Sequence, residues 1–256
     1  MSAQSLSLAI IVAAAFIFIG LERRWPYDKR QVVFRDEFWS DLLLYTFVQS
    51  YFLGLAITSL IQWIDHGTGL SRLALVSRWP IWLQFTFFLI SHDLYIYAFH
   101  RAQHRFKWLW RLHEAHHSTK DVDWLSGSRS HPLEIMVNQT IEFAPLVLLG
   151  ADPLVAILKI TVDAVWGMYI HTNIDVRSGR LQYILNGPEM HRWHHAKEIT
   201  DGNLNFGTKL AIWDWMFRTA YLPHAKKPTA YGMYGYEVPR GYFAQFLFAF
   251  RKTQYM

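Results

Sequence analysis

The segment HEAHH, residues 113–117, suggests two different chemistries. His113, Glu114 and His117 match the pattern H-E-x-x-H, in which two imidazoles on one helical face hold a zinc ion and the glutamate drives attack by water. Such a hydrolytic site has no use for His116. A centre that uses all three histidines would need further ligands from elsewhere in the chain.

Histidines at helical spacing recur in two other segments. His100 and His104 lie four residues apart, and PEMHRWHH repeats the H-x-x-H-H spacing with His191, His194 and His195. Residues three and four apart share one face of a helix, so each segment predicts a helix with a metal-binding face. The chain has no cysteine, which leaves histidine and oxygen as the available ligands.

The number of these histidines predicts two metal ions. Eight imidazoles exceed what one ion takes, because a single zinc binds four ligands. Imidazole suits iron, copper and zinc, and the residues do not choose among these metals. With two ions, Glu114 becomes a solvent-facing or supporting carboxylate instead of the group that activates water.

Five apolar segments are candidates to span a membrane, since about 20 apolar residues cross a hydrocarbon core of roughly 30 Å. They cover residues 6–21, 42–64, 81–99, 133–149 and 154–170. The turn GADP joins the last two, and Pro153 is placed to begin the following helix, so these segments predict a hairpin. Lys159 and Asp163 lie four apart in the fifth segment and are either a functional site or a mutually neutralising pair.

The basic residues orient these segments. Lysine and arginine are frequent between the first and second segments and after the third, whereas the loop near residues 65–79 has only Arg72 and Arg78. The positive-inside rule then predicts an external N-terminus and cytosolic basic loops. The three histidine segments, together with His171 at the end of the fifth apolar segment, all fall on the cytosolic side.

Composition supports a membrane protein. The chain has 256 residues, of which 52% are hydrophobic and 18% charged, below the roughly 25% charged residues of an average soluble domain. The net charge of +5 fits basic loops that face anionic lipid headgroups. We expect no nucleic-acid binding, because no single basic face with interleaved stacking aromatics is present.

Seven segments between about residues 93 and 223 share a pattern with a known family: DLYIYAFHRAQH, LWRLHEAHHS, DWLSGSRSHPLE, HTN, PEMHRWHH, NFG and WDWMFRTAYLP. The chain resembles the fatty acid hydroxylase/sterol desaturase superfamily of integral-membrane di-iron enzymes. The resemblance implies an all-α fold, a multi-span transmembrane helical bundle with a cytosolic helical cap that carries a histidine-rich dimetal site. We predict three parts: N-terminal transmembrane helices (1–87), a dimetal domain that includes the transmembrane hairpin (88–222), and a C-terminal tail with an interfacial helix (223–256).

The resemblance also implies the ligands of two iron ions. They are His100, His104, His113, His116, His117, His171, His191, His194 and His195. His131 is a further possible ligand, or it fixes the start of the helix at Pro132. Four residues are candidates to hold the imidazoles in place through hydrogen bonds: Asp93, Tyr97, Asn173 and Asp214. No catalytic side chain beyond the metal centre is expected.

The resemblance implies an enzyme that uses O2 to hydroxylate an unactivated C–H position of a fatty acyl, sterol or related lipid, with desaturation as the other outcome. Electrons would come from a reductase through a ferredoxin or b-type cytochrome that docks on the basic cytosolic face. The ending RKTQYM has no dilysine retrieval signal, which favours a bacterial plasma membrane over the endoplasmic reticulum. A membrane zinc metallopeptidase that uses HEAHH and a metal-binding or transport protein are the alternatives.

Overall fold

The computed structural model describes residues 1–199, 203–223 and 226–251, and over these ranges the chain is helical, without a β-strand. Extended segments meet only in isolated bridges, such as the one between Pro26 and Ile174. The predicted all-α class is confirmed. The ending on which the expected localisation depends lies, apart from Arg251, outside the described residues.

The N-terminal part forms two long helices. α1, Ala3–Arg24, begins after Ser2, whose side chain accepts the N–H of Ser5. The second begins as a π-helical segment, Ser40–Gln49, and continues as α2, Ser50–Thr68. Gly69 ends α2 with φ +66°, a left-handed conformation that glycine adopts without a steric penalty.

α3, Ile81–Arg105, and α4, Lys107–His117, carry the first two histidine segments. α3 has 25 residues, so it is about 37 Å long at roughly 1.5 Å per residue. This length exceeds the roughly 30 Å of a bilayer core. Phe106 alone separates the two helices, and its extended conformation turns α4 back against α3.

α5, Pro132–Leu148, and α6, Pro153–His171, are joined by the predicted turn. Gly150 has φ +73°, and an added Cβ there would lie 2.9 Å from the Ala74 Cα, so both conformation and space require glycine. The Asp152 side chain accepts the N–H of Leu154 at 2.8 Å and starts α6. The sequence GADP therefore forms the expected helix–turn–helix connection.

Three of the five predicted spans lie in helical stretches that are long and apolar enough to cross a membrane: Ala3–Arg24, Ser40–Thr68 and Pro153–His171. The other two predicted spans form α3 and α5 but are less apolar or shorter. α5 has 17 residues and contains Glu134 and Glu142, and α3 contains His92 and Asp93. These polar side chains are buried and contact partners on other elements, which explains why the two helices tolerate them.

Short helices complete the described chain: α7, Pro188–His194; α8, Ile212–Met216; and α9, Tyr242–Phe248. Single turns of 3-10 helix cover Leu70–Leu73, Ser126–Ser128 and Gly179–Tyr183. α9 lies in the segment predicted to be interfacial. Its buried Gln245 accepts a hydrogen bond from the Tyr45 hydroxyl at 2.6 Å and donates one to Glu37, which fastens α9 to the rest of the fold.

The interior near the histidines is held by buried ion pairs. Arg129 donates to both carboxylate oxygens of Asp41 at 2.9 and 2.8 Å, and Arg35 donates to Asp123 at 2.8 Å. All four side chains are buried, and a buried charge is tolerated only when it is paired. This network fixes the segment between α4 and α5, which supports the candidate metal centre.

Candidate metal centre

Nine histidines converge in two groups whose potential ligand atoms lie within 4.8 Å of one another. Eight come from α3, α4, α6 and α7, and His195 directly follows α7. The first group is His100, His104, His113, His117 and His194, and the second is His116, His171, His191 and His195. All nine are the histidines predicted as ligands from the sequence. The H-x-x-H-H segments of α4 and α7 each contribute to both groups, because histidines on one helix face point to neighbouring positions.

The ring nitrogens are spaced as ligands of common ions would be. The Nε2 atoms of His191 and His171 lie 2.9 Å apart, those of His195 and His191 3.1 Å, and those of His113 and His100 3.1 Å. Two nitrogens bound at about 2.1 Å and at right angles to one ion would be about 3.0 Å apart.

Several nitrogens in the groups have no partner within the described chain. The Nε2 atoms of His104, His117 and His194 are buried and accept or donate no hydrogen bond. A buried polar atom without a partner is costly, so these nitrogens fit a cation as their partner. The donor set of both groups is entirely imidazole, which suits iron, copper or zinc.

Hydrogen bonds on the far side of the rings orient five of the nine imidazoles. The Nδ1 atoms of His100, His116, His171 and His194 contact the backbone oxygens of Phe206, Arg129, Gly167 and Leu204 at 2.8–3.0 Å. The Nδ1 of His113 contacts Glu134 Oε1 at 3.0 Å. A donor Nδ1–H leaves Nε2 with its lone pair toward the group, which is the tautomer that binds a metal.

Glycines permit the closest approaches to these rings. A Cβ on Gly127 would lie 2.6 Å from His171 Nδ1, and one on Gly207 would lie 2.8 Å from Asp214 Oδ2. Asp214 accepts the N–H groups of Phe206 and Gly207, both at 2.8 Å. The loop that offers its carbonyl to His100 is therefore held by a buried carboxylate behind it.

Burial favours the neutral form of four of these imidazoles. It lowers the pKa of His194 to about 3, and burial together with neighbouring imidazoles holds the pKa values of His116, His117 and His195 well below the usual range. Neutral imidazole is the form that binds metal ions.

His131 lies in neither group. Its Nδ1 accepts the N–H of Leu133 at 3.2 Å at the start of α5, its Nε2 contacts the Phe246 oxygen at 3.3 Å, and its ring stacks on Phe246. The structure thus gives it the second of its predicted roles, that of fixing the start of the helix.

The four residues predicted to hold the imidazoles make other contacts among the described residues. Asp93 accepts from the backbone of Lys209 and Leu210 and from Trp213. The hydroxyls of Tyr97 and Thr219 form a hydrogen bond. The side-chain amide of Asn173 accepts the N–H of Asp28 and donates to the backbone oxygen of Asp28. Asp214 acts one step further away, through the backbone of Phe206.

The supporting groups that sequence reasoning missed are Glu134 and the four backbone oxygens. Glu134 stands in the segment DWLSGSRSHPLE, and its position three residues after His131 was the available signal. A backbone oxygen has no signal in the sequence.

Glu114 faces away from the histidines. It is buried, it pairs with Arg111, and it accepts the hydroxyl of Tyr236 at 2.8 Å. It is therefore not solvent-facing, and it lies in neither histidine group, where the water-activating glutamate of a zinc peptidase would be needed.

A third group with ligand-like spacing contains His92, Glu142 and Asp163. The ammonium group of Lys159 contacts all three, at 3.0 Å from His92 Nδ1, 2.5 Å from Glu142 and 2.8 Å from Asp163. Lys159 pairs with Asp163, as in the second of the two alternatives considered for these residues, and two further partners come from α3 and α5. The ammonium group of Lys159 therefore already occupies the place that a metal ion would take between these three side chains.

Two cavities reach the histidines. One, of about 230 Å³, lies between α3, α5 and α6 and touches both groups through His100, His113, His116, His171 and His191. The other, of about 250 Å³, reaches His104, His117, His194 and His195 from the opposite side and is bordered by Arg105, Lys107 and Lys197. The two groups are thus accessible from an apolar side and from a basic side.

Comparison with known proteins agrees with this centre. The sequence profile of the fatty acid hydroxylase family matches residues 85–219. The chain belongs to this family. An ornithine lipid hydroxylase from Rhizobium tropici is 36% identical over 169 residues, which are 66% of this chain and 50% of that protein.

Two further relatives are oxygenases by name. An alkylglycerol monooxygenase from Danio rerio is 33% identical over 167 residues, 65% of this chain and 35% of that protein. Methylsterol monooxygenase 1 from Rattus norvegicus is 25% identical over 138 residues, 53% of this chain and 46% of that protein. The matches span half the length of these relatives or less. No solved structure matches the chain significantly.

Proposed function

We propose that this chain is a membrane-bound, O2-dependent lipid hydroxylase that uses two iron ions. The observation that carries the proposal is an apolar cavity that touches both all-imidazole groups, in a member of the fatty acid hydroxylase family. The relatives named above act, by their names, on an ornithine lipid, an alkylglycerol and a methylsterol. These substrates share a lipid character, so we assign a lipid substrate to this chain.

Iron is proposed because the reaction is oxidative. When bound, the metal pair supplies the O2-dependent oxidation of a C–H bond, which acid–base side chains alone do not perform. Zinc has no redox chemistry. The family resemblance favours iron over copper, and the imidazole groups are compatible with both.

The residues of the chain hold the imidazoles in position and exclude water from the substrate. Glu134 and the backbone oxygens of the loops hold the imidazoles, so that Nε2 atoms converge without rearrangement. Ile96, Phe99, Ile135 and Ile170 line the cavity beside the histidines and exclude water from the substrate carbon. Desaturation of the same substrate position is the alternative outcome, because small differences in placement decide between the two reactions.

Electrons would enter from the basic side. Arg105, Lys107 and Lys197 border the second cavity, and His104 and His117 form its inner wall. An acidic ferredoxin or b-type cytochrome, reduced by its reductase, would be attracted to this surface. Trp110 lies between the surface and the first group, with its ring centroid 4.8 Å from that of His104.

We propose a multi-pass arrangement with the metal centre on the cytosolic side, based on the positive-inside distribution of basic residues. The three apolar helical stretches support membrane insertion.

The test is lipid analysis of host cells with and without the gene under 18O2. Hydroxylation predicts a lipid that gains one labelled oxygen atom, whereas desaturation predicts an unlabelled double bond. His116→Ala should abolish the product, and Glu114→Gln should reduce it less. Loss of all activity in Glu114→Gln, with peptide hydrolysis by the wild type, would instead support the zinc peptidase. An unchanged lipid profile with two bound irons would contradict the proposal.

A further inference from the structure

The cavity beside the histidines ends in a polar cluster that the proposed oxidation does not use. Its far wall consists of His92, Glu142, Asp163, Thr208 and Lys209. We propose that this polar end binds an uncharged oxygen group of the lipid, a hydroxyl or a carbonyl, and so fixes which carbon reaches the metals. The inference rests on the proposed function and adds a recognition site to it.

The protonation of His92 follows from its neighbour. The ammonium of Lys159 lies 3.0 Å from His92 Nδ1 and can only donate hydrogen bonds. Nδ1 is therefore the acceptor, and a neutral ring carries its proton on Nε2. This Nε2–H is buried and has no partner in the described parts of the chain. Since a buried donor needs an acceptor, His92 is suited to bind an oxygen atom.

The charges of the cluster select against an anion. Asp93, Glu142 and Asp163 supply three carboxylates, and within the described parts of the chain only Lys159 and Lys209 oppose them. Lys159 contacts Glu142 and Asp163, and Lys209 contacts Asp163 at 2.6 Å, so both ammonium groups are already paired. A lipid phosphate or carboxylate would add negative charge to a set with no spare cation. A hydroxyl or carbonyl oxygen accepts from His92 without that cost.

On both α3 and α6, the residue at the polar end of the cavity and the histidine at the metal end are the same number of residues apart. His92 precedes His100 by eight residues on α3, and Asp163 precedes His171 by eight residues on α6. Eight residues rise roughly 12 Å at about 1.5 Å per residue. The cavity volume of about 230 Å³ is below the roughly 300–1,000 Å³ of a pocket for a whole drug-sized ligand. It therefore suits one segment of a lipid, with its oxygen at one end and the oxidised carbon at the other.

Fluorescence quenching tests this recognition without turnover. Trp166 lines the cavity, and bromine quenches a tryptophan that it contacts. The probes are 5-bromopentan-1-ol, 1-bromopentane and 5-bromopentanoate, whose bromine lies within reach of Trp166 when the oxygen is at the polar end, added to the purified full chain in detergent without O2. The variant Trp166→Phe gives the signal of the other tryptophans. The alcohol should quench at about a tenfold lower mole fraction than the alkane and the carboxylate, as expected for one added hydrogen bond.

Two substitutions at His92 isolate the Nε2–H. In His92→Asn the amide oxygen replaces Nδ1 as the acceptor for Lys159, whereas the Nε2–H donor is lost. The affinity for the alcohol should therefore fall about tenfold, to the affinity for the alkane. In His92→Gln the longer amide places a donor near the Nε2 position and should keep the preference. His66→Asn, at an exposed site near the end of α2, is the matched control.

The inference is overturned if the alcohol preference persists in His92→Asn. It is equally overturned if the wild type shows no preference for the alcohol, which is the result expected if a water molecule satisfies Nε2. It is also overturned if no probe quenches Trp166. None of these measurements requires oxidation. Failure of the proposed hydroxylation would appear only in the 18O2 experiment, so the two failures are distinguishable.

Discussion

The histidine groups and the cluster around Lys159 both hold several potential metal ligands within 4.8 Å, yet they differ in what balances them. The nine histidines are buried or nearly so, and no side-chain cation contacts their ring nitrogens in the described structure. His92, Glu142 and Asp163 instead surround the ammonium of Lys159. Ligand spacing alone therefore does not identify a metal site. A group of ligands is a candidate metal site when no cation of the chain already lies between the ligands.

The physical reason lies in the charge of the ligands. Neutral imidazoles are less costly to bury than carboxylates, and the Nε2 lone pairs that converge have no donor to accept from. Carboxylates need a positive charge nearby at all times, and Lys159 of α6 supplies it to Asp163 of the same helix and to Glu142 of α5 without a metal. We therefore expect the histidine groups to depend on metal ions and the Lys159 cluster to be complete without one.

The largest effect is expected from removing two ligands of the smaller histidine group. The double substitution His191→Ala and His195→Ala leaves that group with only His116 and His171. Elemental analysis should show one bound iron instead of two. The yield of oxidised lipid should fall by more than about 100-fold, because even residues that merely orient ligands affect activity or affinity by about 10–100-fold.

The control for this double variant is His66→Ala, which removes an exposed histidine outside the groups. It should retain two irons and full product yield. Two irons in the double variant would contradict the assignment of the second group.

The next largest effect is expected at the Lys159 cluster. Lys159→Ala leaves the buried Glu142 and the partly exposed Asp163 without their shared cation, and breaking a buried ion pair costs about 3–5 kcal/mol of the free energy of unfolding. Unfolding by denaturant in detergent should show this loss. The emptied group should then bind a divalent ion, so zinc should raise the melting temperature of the variant and bring the count of bound metals to three.

Lys107→Ala is the matched control, because Lys107 is exposed. It should unfold like the wild type and gain nothing from added zinc. A Lys159→Ala variant as stable as the wild type would remove the contrast between the two regions.

Much of the metal centre was predictable because helical spacing is a local property. Intervals of three and four residues place His113, His116 and His117 on one face, and the same rule applies to α7. The Lys159–Asp163 pair was predictable for the same reason. Its partners Glu142 and His92 were not, because they come from other helices and depend on how these pack.

The surroundings of the imidazoles were less predictable. Four of the nine rings are held by backbone oxygens, whose positions depend on loop conformation and not on residue type. Asp93 and Asp214 were predicted to hold imidazoles through hydrogen bonds. However, they accept backbone N–H groups of the loop around residues 206–210. A carboxylate that holds a loop and one that holds an imidazole look alike in a sequence.

A smaller effect is expected from Glu134, the one carboxylate among the described residues that contacts a histidine of the groups. Glu134→Ala leaves His113 Nδ1 without its partner at 3.0 Å. The affinity of the first group for its ion should fall by about 10–100-fold, measured by competition with a chelator. Glu134→Gln retains an acceptor oxygen and should recover most of this affinity.

The control for Glu134 is Glu198→Ala, which removes a carboxylate that contacts only Thr229 among the described residues. Its metal affinity should match that of the wild type. If Glu134→Ala also matched the wild type, the contact with His113 would have no influence on the metal.

The smallest effect is expected at His131, a buried histidine that belongs to neither region. His131→Asn keeps a side-chain acceptor for the N–H of Leu133, and asparagine is among the preferred residues at the start of a helix. It should retain two irons and lose less than about 1 kcal/mol of the free energy of unfolding, whereas His131→Ala should lose about 1 kcal/mol through the missing cap. Elemental analysis and denaturant unfolding of both variants check this. Loss of an iron in His131→Asn would make His131 a ligand and show that burial beside the groups, without convergence of the ring nitrogens, is enough to bind metal.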